Sequence, residues 1–518
     1  MRFVVLAAFV LLPSLAAQQP SGLLACCERF TGFDLDGDGA AEIRSCEPSG
    51  SHAPALPGRV IALVESRLAG DPALASRLQR WGEDLLREDL GLDLVSIELA
   101  DSGAGRHRDG QLLLAVRELL RFRRAQEPGL EAVVLVGHFP DALLVRTVNW
   151  HKHERIVTGK GTPDPHDWGK ARFVRRVPEI VAHRADVVLG DLDGGWEDLW
   201  VEGPVERPTT YAVFGDAIPE QGGPALAVDR DTIRLLDCFL VEDGACSVDG
   251  LQVTLDPDSR DHECTAADRE RPNPLPRPEL QVGRIDARGL AWRGDVADPA
   301  LERQLLLEYF DRNHAFRTRP AGAAFRPASV AHELGSGMHA LQAASPEWQG
   351  FAETGYDCRH GVDLAELTAW MQRPAVLRTL RAHSGPHHAA FAKGSDAARL
   401  GELLGIDEVP RTLTARLAQG RADAEYWRAL WQHAAAGDTP HLLLHTGCEA
   451  LSPPASSTVP YDDPRYGRDA HGAAMLFFTP AVAILGRAKV FYDEPRGFAE
   501  TLAAAGTIGA AWRRYFEI

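Results

Sequence analysis

The sequence predicts an α/β protein built on two successive, mainly parallel sheets. Between residues 59 and 137, short apolar runs of strand length alternate with stretches of helical period. The alternation stops in a segment rich in Pro, His and Asp, and it resumes after residue 299. Because strand–helix–strand order makes strands parallel and covers both sheet faces with helices, we expect α/β units at residues 56–290 and 291–518.

Length and composition set the broad class of the protein. The chain has 518 residues, with 45% hydrophobic and 25% charged residues, which is typical of globular proteins of two or three domains. The net charge is −18, so we expect no nucleic-acid partner, because phosphates require a basic surface. No stretch beyond the N-terminus is long and apolar enough for a transmembrane segment.

The first residues have the pattern of a secretory signal peptide, which we assign to residues 1–17. Arg2 precedes the apolar run Phe3–Leu12, and Ser14–Ala17 supplies small residues for cleavage. We therefore expect a secreted, periplasmic or cell-surface protein. In an exported chain, eight cysteines favour disulfides, although the sequence does not determine their pairing.

Residues 18–55 form a short segment that contains an Asp/Gly-rich loop. Its candidate ligands are the carboxylates of Asp34, Asp36, Asp38 and Glu42. Carboxylates at this spacing, with glycines between them, suit a tight loop around a hard cation. The loop predicts a structural calcium site. The alternative is an acidic turn without metal.

The first α/β unit has three predicted strands and two predicted helices. The strands are Val60–Val64, Leu94–Ile97 and Glu131–Gly137, and the helices are Ala73–Leu90 and Gln111–Arg124. No Gly-rich phosphate loop follows the first strand, so we expect no nucleotide and no organic cofactor. Residues 138–280 are predicted to be irregular, and whether Asp191 and Asp193 form a second metal loop is left open.

The second unit repeats the same alternation. We predict helices at Ala300–His314 and Val362–Trp370, strands at Ala328–His332 and Ala481–Gly486, and a terminal helix Phe498–Tyr515 that breaks near Gly506 and Gly509. Residues 392–440 are predicted to be a long helical connection. Its aromatic residues Tyr426, Trp427 and Trp431 are expected in the core.

Two short apolar runs in this unit each lead to a reactive side chain. Val376–Ala382 is followed by His383, and Leu442–Leu444 leads through a short turn to Cys448. A nearby imidazole lowers the pKa of a thiol and can later protonate a leaving amine. Adjacent parallel strands would hold such a pair at the same sheet edge. The alternative is a buried, inert Cys448 or a disulfide with Cys358.

Backbone groups beside this pair are candidates for binding a developing negative charge. We assign this contribution to the backbone at Ser384, Gly385 and Gly447, with the N–H of Cys448. Gly385 and Gly447 would also allow close approach of a substrate.

Four motifs in the same order along the chain resemble those of a known family. They are AVVLVGHFPD (132–141), ADVVLGDLDGGWED (185–198), PELQVGRIDA (278–287), and the pair HSGP and HTGCEAL that carries His383 and Cys448. Together they resemble the gingipain-like cysteine peptidases, which have a caspase-like fold. One departure is Ser384, which stands where the family has Gly directly after the catalytic His.

The resemblance implies a three-layer α/β/α architecture and a polypeptide substrate. It also implies that His383 is the general base and acid, that Cys448 is the nucleophile, and that the protein is exported by a bacterium. A different class of function remains open, in which the fold is catalytically inactive and the protein is a calcium-dependent binding or surface module.

Overall fold

The computed structural model describes most of both predicted units. The described residues are 21–52, 56–101, 109–141, 143–155, 171–194, 196, 241–242, 245–248, 251–254, 277–319, 328–331, 353–355, 362–372, 374–380, 382–433, 440–454, 461–488, 498–504 and 507–517. The assigned signal peptide and Cys358 lie outside them.

The N-terminal sheet has five strands. Their order across the sheet is Ile43–His52, Leu90–Leu99, Gly58–Glu65, Leu130–Val136 and Gln281–Ile285. The last four are mutually parallel, which confirms the predicted parallel sheet. The first strand is antiparallel and comes from the short N-terminal segment. That segment therefore forms an edge of the sheet.

Side chains of the central strand Gly58–Glu65 alternate between two cores, as the period of two in a β-strand requires. Val60, Ala62 and Val64 pack with the helix Pro72–Leu85 on one face. Ile61 and Leu63 pack on the other face with the helices Ser21–Phe30 and Asp109–Gln126. Helices therefore cover both faces of this sheet.

The C-terminal sheet also has five strands, and all its pairings are parallel. Their order is Glu353–Gly355, Ala328–Ala331, Leu377–Leu380, His441–His445 and Ala481–Gly486. The central strands coincide with the two apolar runs that precede His383 and Cys448. The protein is thus a mixed α/β fold with two mostly parallel sheets.

The two sheets share one hydrophobic core. Helix Pro299–Arg317 of the second unit packs on helix Pro72–Leu85 of the first. The rings of Trp81 and Phe310 lie 5.7 Å apart between them. A short 3-10 helix, Arg288–Leu290, lies between the last strand of the first sheet and helix Pro299–Arg317.

The remaining elements surround the sheets. Among the described residues, the other helices are Ser66–Ala69, Val187–Gly190, Leu364–Gln372, Ala397–Leu404, Arg411–Gln419, Ala424–His433, His471–Phe477, Phe498–Ala503 and Ile508–Glu517, with a short 3-10 helix at Leu86–Glu88. Small antiparallel sheets comprise Trp292–Arg293 with Val296–Ala297, His383–Ser384 with His388–Ala390 and Arg421–Asp423, and Val241–Glu242 with Ala245–Val248 and Leu251–Thr254.

Predictions of local structure were wrong in several places, and the predicted helix Ala73–Leu90 ends at Leu85 because a strand begins at Leu90. The predicted helical connection 392–440 contains three helices and a short strand, because Gly405 and Gly420 adopt left-handed conformations (φ of 65° and 63°) that end helices. The segment predicted to be irregular contains a long antiparallel pair, Leu143–Arg155 with Ala171–Arg184. The predicted core positions of Tyr426 and Trp427 are confirmed, since both side chains are buried.

Candidate functional site

The register of two neighbouring strands brings the His383 and Cys448 loops to one edge of the C-terminal sheet. Strands Leu377–Leu380 and His441–His445 are parallel and adjacent, with Leu380 opposite His445. His383 and Cys448 each follow three residues after that pair. The two loops therefore leave the sheet side by side, as the order of the motifs predicts.

Ser384 and Gly447 join these loops by direct contact. The Ser384 hydroxyl donates a hydrogen bond of 2.5 Å to the carbonyl oxygen of Cys448. Gly447 packs so closely on the other loop that a Cβ there would overlap the Ser384 hydroxyl and the Ala382 carbonyl. Ser384, the departure from the family motif, is thus the side chain that ties the His383 loop to Cys448.

The two candidate catalytic side chains differ in exposure. His383 is exposed and Cys448 is partly buried. Cys448 carries a thiol and not a disulfide sulfur. His383 and Ser384 form the first strand of a small antiparallel sheet, opposite Ala390 and Ala389. A partly buried thiol beside a loop fixed by backbone pairing is an arrangement that can support nucleophilic chemistry.

Two of the backbone N–H groups assigned to charge stabilisation donate within the protein. The N–H of Gly385 donates to the carbonyl oxygen of His388 at 2.9 Å. The N–H of Gly447 donates to Nδ1 of His445 at 3.1 Å. Both glycines therefore shape the two loops in this state through hydrogen bonds of their own.

The structure also brings two histidines to the site that the sequence motifs did not single out. His445 and His471 are fully buried, and their rings meet edge to face with centroids 5.5 Å apart. Burial, then the charge of Arg487, lowers the pKa of His445 to about 3, so this imidazole is neutral. Burial, then His445 and His388, also lowers the pKa of His471.

The turn after the thiol has a second unusual feature. Glu449 has a positive φ of 48°, which is uncommon for a residue with a side chain. Burial raises the pKa of its carboxyl group. The turn is held by hydrogen bonds from the Leu451 N–H to the Arg487 carbonyl and from the Ser452 N–H to the Glu449 carbonyl. No local sequence pattern reveals such a conformation.

A buried histidine links the N-terminal sheet to the segment that follows Cys448. His138 Nδ1 lies 2.6 Å from a carboxylate oxygen of Asp286, and its Nε2 contacts the carbonyl oxygen of Tyr461. Burial opposes the charged form, but Asp286 outweighs it and the pKa of His138 is raised. Both ring nitrogens of His138 thus face acceptors, one from each unit.

Three of the four predicted calcium ligands lie together. Carboxylate oxygens of Asp34, Asp36 and Glu42 all lie within 4.8 Å of one another, whereas Asp38 is not a member of this group. The Asp34 carboxylate accepts the N–H groups of Gly39 and Gly37, each at 2.8 Å, and the Gly39 contact lowers its pKa most. These carboxylates are of the type that binds hard cations.

A second acidic group involves the pair of aspartates that the sequence left open. Asp191, Asp193 and Glu279 bring carboxylate oxygens within 4.8 Å of one another. Asp191 accepts hydrogen bonds from the Trp196 indole at 2.8 Å and the Arg277 N–H at 3.0 Å. Burial raises the pKa of Asp191 and of Glu279. The Asp191 oxygens thus already have protein donors.

Comparisons with models of known families, with curated proteins and with solved structures find no match to this chain. In the described part of the chain, none of the helices combines the length and apolar composition needed to cross a membrane.

Proposed function

We propose that the chain is an exported cysteine-type endopeptidase, a diverged gingipain-like protein with a caspase-like three-layer fold. The observation that carries this proposal is the joining of two loops at one sheet edge. His383 and Cys448 follow in-register neighbouring strands, and Ser384 binds the Cys448 carbonyl directly. The thiol state of Cys448 is compatible with a nucleophile.

In the proposed reaction, His383 takes the proton of the Cys448 thiol. The thiolate attacks the carbonyl carbon of a peptide bond, and the N–H of Cys448 binds the oxyanion. His383 then gives its proton to the leaving amine as the C–N bond breaks, which leaves a thioester. Water, deprotonated by His383, hydrolyses the thioester and restores the thiol. Gly385 and Gly447 contribute close backbone approach, since their own N–H groups donate elsewhere.

Cys448 should react with a peptidyl acyloxymethyl ketone, a thiol-directed activity probe. We expect mass spectrometry to locate the probe on Cys448. His383→Ala should slow labelling by about 100-fold or more, because it removes the general base. The matched control is His387→Ala, an exposed histidine on the same loop, which should label within about twofold of wild type. Labelling that does not depend on His383 would contradict the proposal.

We propose a second function for the N-terminal loop, a structural calcium site that stabilises the edge of the first sheet. It is supported by the grouping of Asp34, Asp36 and Glu42. Glu42 is buried, directly before the edge strand Ile43–His52, and it accepts the Leu35 N–H at 2.6 Å. A cation would relieve the repulsion among these carboxylates. The same calcium site would also be present if the protein is the catalytically inactive, calcium-dependent binding module considered above.

Thermal unfolding with and without calcium tests this site. Calcium at about 100 times its Kd should stabilise the wild-type protein by about 2.7 kcal/mol, seen as a rise of several degrees in Tm. Asp36→Asn should remove most of this rise because it removes a charged ligand. Asp295→Asn, an exposed position outside the group, should leave the rise unchanged. An equal calcium response in Asp36→Asn and wild type would exclude this loop as the site.

A further inference from the structure

The buried side chain of His445 lies directly between the sheet and the Cys448 loop. It is the last residue of strand His441–His445 and is 1% exposed. Its Nδ1 accepts the N–H of Gly447 at 3.1 Å. A ring nitrogen that accepts a hydrogen bond carries no proton, so His445 is neutral and its proton is on Nε2.

The surroundings of His445 favour this neutral form. The titratable and charged groups that face it are His471, from the helix His471–Phe477, and Arg487, which follows the strand Ala481–Gly486. His388 contributes to lowering the pKa of His471. None of these groups is a carboxylate. Nε2 of His445 and both ring nitrogens of His471 have no hydrogen-bond partner among the described residues.

We propose that His445 is a positioning residue for Cys448, and that its protonation in acid releases the loop that carries the thiol. Neutral His445 holds the N–H of Gly447, the residue wedged against Ser384. When Nδ1 gains a proton it becomes a donor that faces another donor, and the hydrogen bond to Gly447 is lost. The loop keeps the hydrogen bond from Ser384 to the Cys448 carbonyl and that from the Leu451 N–H to the Arg487 carbonyl, so the release is confined to the turn at Gly447.

This proposal rests on the proposed function only in treating Cys448 as the nucleophile. The hydrogen bond between His445 and Gly447 does not depend on the reactivity of the thiol. The proposal predicts a loss of Cys448 positioning in acid that is independent of His383. Because the pKa of His445 is about 3, the release occurs at a pH well below that at which histidines usually titrate.

Two substitutions of His445 distinguish its role as a hydrogen-bond acceptor from the effect of its protonation. In His445→Asn, the side-chain amide oxygen can still accept the Gly447 N–H, but the side chain has no imidazole to protonate. In His445→Leu, the acceptor is absent at every pH. The measurement is amide hydrogen exchange of the peptide that spans residues 441–451, divided by the exchange rate of an unstructured reference at the same pH.

At pH 7 we expect similar protection of this peptide in wild type and His445→Asn. His445→Leu should exchange about fivefold faster, the change expected for one hydrogen bond. As the pH falls from 7 to about 3, the protection of this peptide in wild type should decrease by a similar factor of about five. The protection in His445→Asn should not change over this range. The strand Gly58–Glu65 should remain protected over the same range, which distinguishes local release from global unfolding.

Three results would overturn the proposal. They are unchanged protection in His445→Leu, equal acid sensitivity of wild type and His445→Asn, and simultaneous loss of protection in the strand Gly58–Glu65. Because hydrogen exchange does not require catalysis, these outcomes are separate from failure of the peptidase proposal. That failure would appear as probe labelling that is absent or insensitive to His383, with the exchange pattern intact.

Discussion

Gly447→Ala is expected to separate the two loops of the candidate active site. Its new methyl group would overlap the Ser384 hydroxyl and the Ala382 carbonyl, and the carbonyl is backbone that cannot turn aside. Overpacking of this kind typically costs about 1–3 kcal/mol of folding free energy. Displacing a nucleophile by about 1 Å can lower its rate about 100-fold. We expect both effects in denaturant unfolding and in the rate of Cys448 labelling by the thiol probe.

Gly385→Ala is the matched control for this prediction. A Cβ at Gly385 meets no atom within 4 Å, although the residue lies directly after Ser384 on the neighbouring loop. We expect the free energy of unfolding of this variant to stay within about 0.5 kcal/mol of wild type. A Gly447→Ala variant as stable as Gly385→Ala would show that the contact between Gly447 and Ser384 does not hold the two loops together.

Asp93→Asn is expected to cause the largest loss of stability in the N-terminal sheet. Asp93 is fully buried and accepts hydrogen bonds from the Ser51 hydroxyl at 2.8 Å and the Arg123 guanidinium at 2.9 Å. It also forms a buried ion pair with Arg59. Removing the carboxylate would take away the charge that two buried guanidinium groups share, which costs about 3–5 kcal/mol. Denaturant unfolding measures this loss.

Asp101→Asn makes the same chemical change at an exposed ion pair. Asp101 contacts Arg44 at 2.9 Å, but its side chain is 77% exposed, so we expect a loss of at most about 1 kcal/mol.

The pH dependence of the unfolding free energy gives a second check on the contribution of Asp93. Burial raises the pKa of Asp93, but Arg59 and Arg123 outweigh it and the net pKa is lowered.

A lowered pKa in the folded state means that the stabilisation by Asp93 is fully present above the unfolded pKa of about 3.9. It is lost as pH falls through the lower folded value. The difference in unfolding free energy between wild type and Asp93→Asn should therefore be constant at neutral pH and shrink in strong acid. A difference that is already small at pH 7 would show that the buried network contributes little.

The parallel sheets were predictable because buried strands have a simple signature. Gly58–Glu65 and Leu130–Val136 are nearly continuous apolar runs, as strands covered on both faces must be. The antiparallel pair Leu143–Arg155 with Ala171–Arg184 was missed because its strands mix charged and apolar residues without a single apolar run. The edge strand Ile43–His52 was missed for a related reason, since only three of its ten residues are buried.

The order of the motifs indicated that His383 and Cys448 could belong to one site. The residues that hold their loops together were not predictable from spacing. Ser384 was noted only as a departure from the family, and its hydrogen bond to Cys448 depends on the register of two strands separated by more than 60 residues. His471 reaches His445 from a helix that the motifs did not mark.

The sequence by itself determined the strand–helix alternation, the acidic loop at Asp34 and the positions of His383 and Cys448 after apolar runs. These are local properties, set by periodicity and residue type within short windows. Only the tertiary structure decided that Leu380 lies opposite His445, that Gly447 is wedged against the Ser384 hydroxyl, and that His445 is neutral. The physical reason is that register, close packing and desolvation depend on which distant segments are adjacent.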